Sequence, residues 1–112
     1  MITDWLELKD KRYELNNKGY LLNMSQWNED ILKWFADQEA IDLSPDHHII
    51  IMILRGYFSE HNLHPAVRTI TSAMTQSLGP EKANLKYFHK LFPGGIHQSF
   101  KIAGLPMQDS CC

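Results

Sequence analysis

The stretch "LSPDHHIIIMILRGYFSEHNLHP", Leu43–Pro65, decides the fold. Ser44 is a good helix N-cap, Pro45 suits the first helical position, and Asp46 places a negative charge in the first turn. Behind that start, Ile49, Ile50, Ile53, Leu54, Tyr57 and Phe58 form the apolar side of a long, central, buried helix. The helix is expected to end between Glu60 and Leu63. His64-Pro65 then opens another helix carrying Val67, Ile70 and Met74, so the centre of the chain reads as helix-turn-helix-like.

Working outward, Gly79-Pro80 stops that helix and opens one with Leu85, Phe88 and Leu91. Pro93 begins a last helical segment marked by Ile96, Phe100 and Ala103, which Gly104 and Pro106 end. Upstream, Ser25 or Asn28 caps a helix with Glu29 and Asp30 in its first turn and Ile31, Leu32, Trp34 and Phe35 on its apolar face. Before it, Trp5, Leu6 and Leu8, then Tyr13 and Leu15, give two short alternations, and "NNKG" is a good turn. The expectation is a mainly α fold: a small orthogonal helical bundle with an N-terminal β-hairpin, a helix-turn-helix-like centre and a flexible C-terminal arm. As one domain of 112 residues, it divides into a hairpin over 1–22, a helical body over 25–104 and an arm over 105–112.

A composition 44% hydrophobic and 21% charged excludes a disordered chain. The net charge of −2 weighs against a dedicated nucleic-acid binder. The longest apolar run, Ile49–Leu54, is far too short for a membrane span. "MITDWLELKD" has neither the basic start nor the apolar core of an export signal. The expected location is therefore the cytoplasm, without membrane association, where thiols stay reduced.

The only two cysteines are Cys111 and Cys112. A thiol on an exposed arm can enter another protein's active site, and reversible thiol and persulfide chemistry suits handing on a sulfur atom. The histidines, His47, His48, His61, His64, His89 and His97, have no zinc-site spacing and read mostly as exposed or capping residues; no metal is expected. Lys82, Lys86 and Lys90 recur every four positions and are read as one helix face, solvated or receiving an acidic partner or an RNA backbone. Arg68 and Lys101 are candidates to hold the arm or lower a thiol pKa. No local motif supports a Ser-His-Asp triad or a carboxylate pair.

Taken together, "LSPDHH", "HPAVR", "KYFHKLFPGG", "KIAGLP" and the cysteine at 111 resemble the DsrC/TusE family of sulfur-relay proteins, from about Gly19 onward. The resemblance implies a small α-helical protein with a hairpin and a flexible arm. It further implies that Cys111 carries sulfur as a persulfide, with Arg68 and Lys101 at basic positions of the family pattern. In DsrC proteins a second cysteine lies eleven positions earlier; here that position is Phe100, which favours a one-cysteine carrier of the TusE type. Family chains generally end on an apolar residue where this one has Cys112, whose thiol could attack a neighbouring persulfide.

The resemblance thus implies a sulfurtransferase acting as a half-reaction carrier, with no cofactor and no turnover alone. Its donor would be an upstream, TusBCD-like relay complex. Its acceptor would be the tRNA 2-thiouridine synthase with its tRNA. The rivals are a partner of a dissimilatory sulfite-reductase system, which needs the second cysteine, and a DNA-binding regulator. The regulator would need more basic residues than Arg68, the single charge between Pro65 and Gly79; no direct DNA binding is expected.

Overall fold

The computed structural model describes residues 4–107. Its elements follow one another as β1 (Asp4–Leu8), β2 (Lys11–Leu15), a 3-10 turn (Met24–Gln26), α1 (Glu29–Gln38), α2 (Pro45–His61), α3 (Val67–Leu78), α4 (Leu85–Leu91) and α5 (Ile96–Ile102). The mainly α class with an N-terminal hairpin is as expected.

The two strands pair antiparallel, with Leu6 opposite Tyr13 and Leu8 opposite Lys11. Residues two apart share a face, so Leu6, Leu8, Tyr13 and Leu15 turn toward the helices. Trp5 falls on the outer face, 43% exposed, with the Arg12 guanidinium 5.0 Å from its ring centroid. The connection is the two-residue turn Lys9-Asp10, both at positive φ (48° and 65°), a geometry that matches the twist of a tight hairpin. "NNKG" is indeed a turn, but the next one. The Asn16 Oδ1 accepts the amides of Lys18 (2.8 Å) and Tyr20 (3.0 Å), folding the chain back so that Leu21 bridges to Leu15.

Asn28, not Ser25, caps α1, its Oδ1 accepting the Ile31 amide at 2.9 Å. Ser44 caps α2 as expected, with Pro45 at the first position. The interior stripe of α2 is His47, Ile50, Ile51 and Leu54; Ile49 and Ile53 are only half buried. That stripe continues to Phe58, which packs on the core. Asn62 in the left-handed region ends the helix, inside the expected interval.

The buried face of His47 joins distant parts of the chain. Its Nδ1 accepts the Ser44 amide at 3.0 Å, completing a reciprocal capping box, and its Nε2–H donates to the Leu91 carbonyl at 2.8 Å. The start of α2 is thereby fastened to the end of α4. A single cluster of buried side chains runs from Leu6 and Leu15 through Ile31, Phe35, Ile50, Leu54, Ile70 and Phe88 to Phe100 and Leu105. Fully burying each large apolar side chain contributes about 1.5–3 kcal/mol, so this shared core holds hairpin and helices together. Among the described residues no helix is long and apolar enough to cross a membrane.

The lysine series does not lie on one helix face. Asn84, whose Oδ1 accepts the Tyr87 amide at 2.8 Å, starts α4 later than Pro80 suggests. Lys82 therefore precedes the helix and pairs with Asp46 at 3.2 Å, leaving only Lys86 and Lys90 on α4.

Candidate functional site: the root of the C-terminal segment

Cys111 and Cys112 lie outside the described residues, so the site is built from the chain that leads to them. The helix α5 ends at Ile102 because Gly104, at φ +73°, turns the chain in a conformation that L side chains rarely adopt. Helix ends leave carbonyls without intrahelical partners, and here side chains from elsewhere take them. The Trp27 Nε1–H donates to the Ile102 carbonyl at 3.0 Å, and Arg55 Nη1 donates to the Ala103 carbonyl at 2.7 Å. The second Arg55 nitrogen, Nη2, donates to the Met24 carbonyl at 3.2 Å, and the guanidinium stacks 4.2 Å from the Trp27 ring centroid. Burial lowers the Arg55 pKa, from so high a starting value that the group stays charged.

The following residues stay on the body. Leu105 is fully buried, its amide donating to the Phe100 carbonyl at 3.1 Å. His64 Nε2–H donates to the Pro106 carbonyl at 2.7 Å, its ring lodged between Phe58 and Phe100 at centroid separations of 5.1 and 4.9 Å. The Asn16 amide approaches the Met107 sulfur at 3.9 Å. The first three residues assigned to the arm, Leu105–Met107, thus rest against α2, the α2–α3 turn and the hairpin side. Phe100, where the DsrC pattern has its second cysteine, is a fully buried core residue.

Of the basic candidates, Lys101 turns toward α1. Its Nζ lies 3.4 Å from Glu39 Oε2, while Gln98 donates to the other Glu39 oxygen at 3.0 Å. With Trp34, Gln38 and Gly19 it lines a shallow cavity of about 230 Å³. Arg68 stands exposed in the first turn of α3 with no ion-pair partner among the described residues. The two do not share a partner. Of the histidines, His47 and His64 are structural donors to carbonyls, and exposed His48 pairs with Glu29 at 2.8 Å. Sequence reasoning missed Arg55 and Trp27. Arg55 carries a signal all the same: it is the sole Lys or Arg in Pro45–His61, directly after "IIIMIL".

The profile of the DsrC-like proteins matches residues 7–112, through both cysteines. The chain belongs to this family. This DsrC-like protein is 39% identical over 107 residues to the sulfurtransferase TusE of Escherichia coli strain K12, covering 95% of this chain and 98% of that one. It is 38% identical, with the same coverage, to the sulfurtransferase TusE homolog of Haemophilus influenzae. Among solved structures, the Allochromatium vinosum DsrC matches with a TM-score of 0.86 and 37% identity, over 97% of this chain and 98% of that one. The oxidized γ-subunit of the dissimilatory sulfite reductase (DsrC) from Archaeoglobus fulgidus matches with a TM-score of 0.90 and 32% identity, over 97% and 100%. The hairpin and five helices are therefore the DsrC-like fold.

Proposed function

We propose that this DsrC-like protein is a sulfur carrier of a relay, holding sulfane sulfur as a persulfide on Cys111 and passing it toward 2-thiolation of tRNA wobble uridine. The observation that carries the reading is 39% identity to TusE sulfurtransferases over 95% of the chain. In the first half-reaction the Cys111 thiolate attacks the terminal sulfur of a donor persulfide, R–S–SH. The new bond gives Cys111–S–SH, and the donor leaves as the thiolate R–S⁻. In the second, an acceptor thiolate attacks that terminal sulfur and Cys111 leaves as thiolate. No net oxidant is needed, because the sulfur atom moves at constant oxidation state. A TusBCD-like complex is the donor and the tRNA 2-thiouridine synthase the acceptor in this reading. The core position of Phe100 supports a one-cysteine carrier over a sulfite-reductase partner that cycles through two cysteines.

Intact and peptide mass spectrometry of the unreduced protein tests the reading after exposure to a persulfidated cysteine desulfurase or relay complex. Wild type is expected to gain one sulfur atom on the terminal peptide, Cys112→Ser to gain it as well, and Cys111→Ser to gain none. Loading that survives Cys111→Ser and vanishes in Cys112→Ser would move the site to Cys112.

A further inference from the structure

We propose that the apolar cleft between α3, α4 and α5 is the docking surface for the sulfur donor, and that it receives an aliphatic side chain set among carboxylates on that protein. The inference rests on the carrier reading above, since it assigns a surface to one of the two proteins with which a carrier exchanges sulfur.

Val67, Ile70 and Thr71 of α3, Leu85 and Phe88 of α4 and Ile96 of α5 line the cleft. Ile70 and Phe88 are buried core residues, whereas Val67 and Leu85 stay 41% and 44% exposed. Of the six large apolar side chains left exposed among the described residues, these two meet in one cleft. Covering them removes apolar surface from water, which favours a partner. The room between the helices is about that of one water molecule, enough for the tip of a Val, Leu or Ile and too small for a nucleobase.

Charge is segregated around this cleft. Residues 1–60 hold eleven Asp or Glu against six Lys or Arg, and residues 61–112 hold two against five. The three helices that line the cleft contain no acidic residue and carry Arg68, Lys86, Lys90 and Lys101. Glu39 engages Lys101, while Arg68, Lys86 and Lys90 are exposed without an ion-pair partner among the described residues. Glu81 lies before α4, beside Lys86 and Lys90 and not in the cleft. An apolar centre with a charged rim is the anatomy of a protein–protein interface, and a cationic rim selects and steers a partner rich in carboxylates.

Of the two exchange partners, the donor fits this rim. An acceptor that holds tRNA needs cations of its own along the phosphate backbone, and these repel Arg68, Lys86 and Lys90. A donor that handles no nucleic acid has no such need.

The test measures, by biolayer interferometry, the affinity of a purified, unloaded relay complex of the TusBCD type for wild type and four variants. These are Leu85→Glu, Leu85→Ala, the pair Lys86→Glu with Lys90→Glu, and the control pair Lys11→Glu with Lys18→Glu, which changes net charge equally on the acidic half. Leu85 opens α4, where a carboxylate suits the helix dipole, so Leu85→Glu keeps the fold. Should it not fold, Leu85→Ala and the α4 lysine pair decide. Leu85→Glu and the α4 pair are expected to weaken binding about tenfold each at low salt, Leu85→Ala about threefold, and the control pair less than twofold. The α4 pair should also lose most of the salt dependence that wild type shows. Wild-type affinity in Leu85→Glu and the α4 pair, or equal weakening in the control pair, would overturn the inference. So would a wild type that does not bind the complex. Tighter binding of tRNA alone, lost in the α4 pair, would make the cleft an RNA surface instead, and a dimer lost in Leu85→Glu would make it a contact between copies of this chain. Binding as expected with no sulfur gained from the loaded complex would sink the carrier reading, and the cleft would remain a docking surface. Sulfur gained equally by wild type and all variants, with equal affinities, would sink the docking surface alone.

Discussion

A Cβ placed on Gly104 would lie 2.4 Å from Cδ1 of Trp27, so the indole and the turn after α5 fit together only when position 104 has no side chain. Gly104→Ala therefore carries two penalties. The left-handed backbone costs about 1–2 kcal/mol for an L side chain. Moving the indole also weakens its 3.0 Å bond to the Ile102 carbonyl, about 1 kcal/mol. The expected loss is roughly 2–3 kcal/mol in urea unfolding. A loss under about 0.5 kcal/mol would mean that the turn relaxes freely and does not brace the root.

His47 uses one ring nitrogen in the capping box of α2 and the other to reach the Leu91 carbonyl of α4, and both bonds vanish in His47→Leu. The Leu91 carbonyl then loses its partner among buried side chains. Stranding buried polar groups costs about 1–3 kcal/mol each, so a loss near 2–3 kcal/mol is expected by denaturant unfolding. Ser44→Ala, which removes the side-chain cap of α2 and the hydroxyl's contact with His47 Nδ1 but leaves the tie to Leu91, should cost about 1 kcal/mol. Equal losses for the two would show that the cap, not the tie to α4, is what His47 provides.

Much of this architecture is legible in the chain itself, because helix starts are written in short-range chemistry. Asn28 and Ser44 cap where their side chains suggest, and the apolar periodicity locates all five helices. The hairpin turn was not legible: Lys9-Asp10 adopts two positive φ values without the glycine that usually advertises them. The lysine series misled because spacing implies a shared face only inside one helix, and Asn84 starts α4 after Lys82. At the site, Arg55 is a lone cation after an apolar run, visible but without a partner in sequence. Its partners are backbone carbonyls, which any residue type can supply, so no pattern of side chains announces them. The docking of Leu105–Met107 is hidden for the same reason: it depends on His64 and Asn16, which are 42 and 91 residues away from Pro106 and Met107.

Asp46 predicts a pH dependence. Its carboxylate accepts the Tyr87 hydroxyl and the Lys82 ammonium, the latter at 3.2 Å, and these bonds hold its pKa below the usual carboxylate value. A depressed folded-state pKa stabilises above the unfolded value, near 3.8, and the contribution is lost as pH falls through the folded value. The Tyr87 hydroxyl is raised by the same hydrogen bond, so its contribution is present below about pH 10 and is lost as pH climbs through the raised value. Asp46→Asn is expected to flatten both the acid and the alkaline limbs of a stability-versus-pH curve from thermal unfolding. Limbs as steep as wild type would show that other groups govern both.

Phe100 places a core aromatic at the position eleven residues before Cys111. It is fully buried, and its ring stands 4.9 Å from that of His64, the residue that holds the Pro106 carbonyl. Phe100→Cys, which restores the DsrC-type pair in sequence, removes most of a buried aromatic and leaves a cavity. The expected cost is about 3 kcal/mol in the presence of reductant, against about 1.5 kcal/mol for Phe100→Leu. For a domain whose total stability is of order 5–15 kcal/mol, that is a large fraction. The cavity should also loosen His64, so amide exchange at Leu105 and Met107 is expected to speed up more in Phe100→Cys than in Phe100→Leu. A Phe100→Cys protein as stable as wild type, with unchanged exchange at both positions, would show that this site accepts a second cysteine freely. The aromatic core could then not be what separates this chain from the two-cysteine pattern.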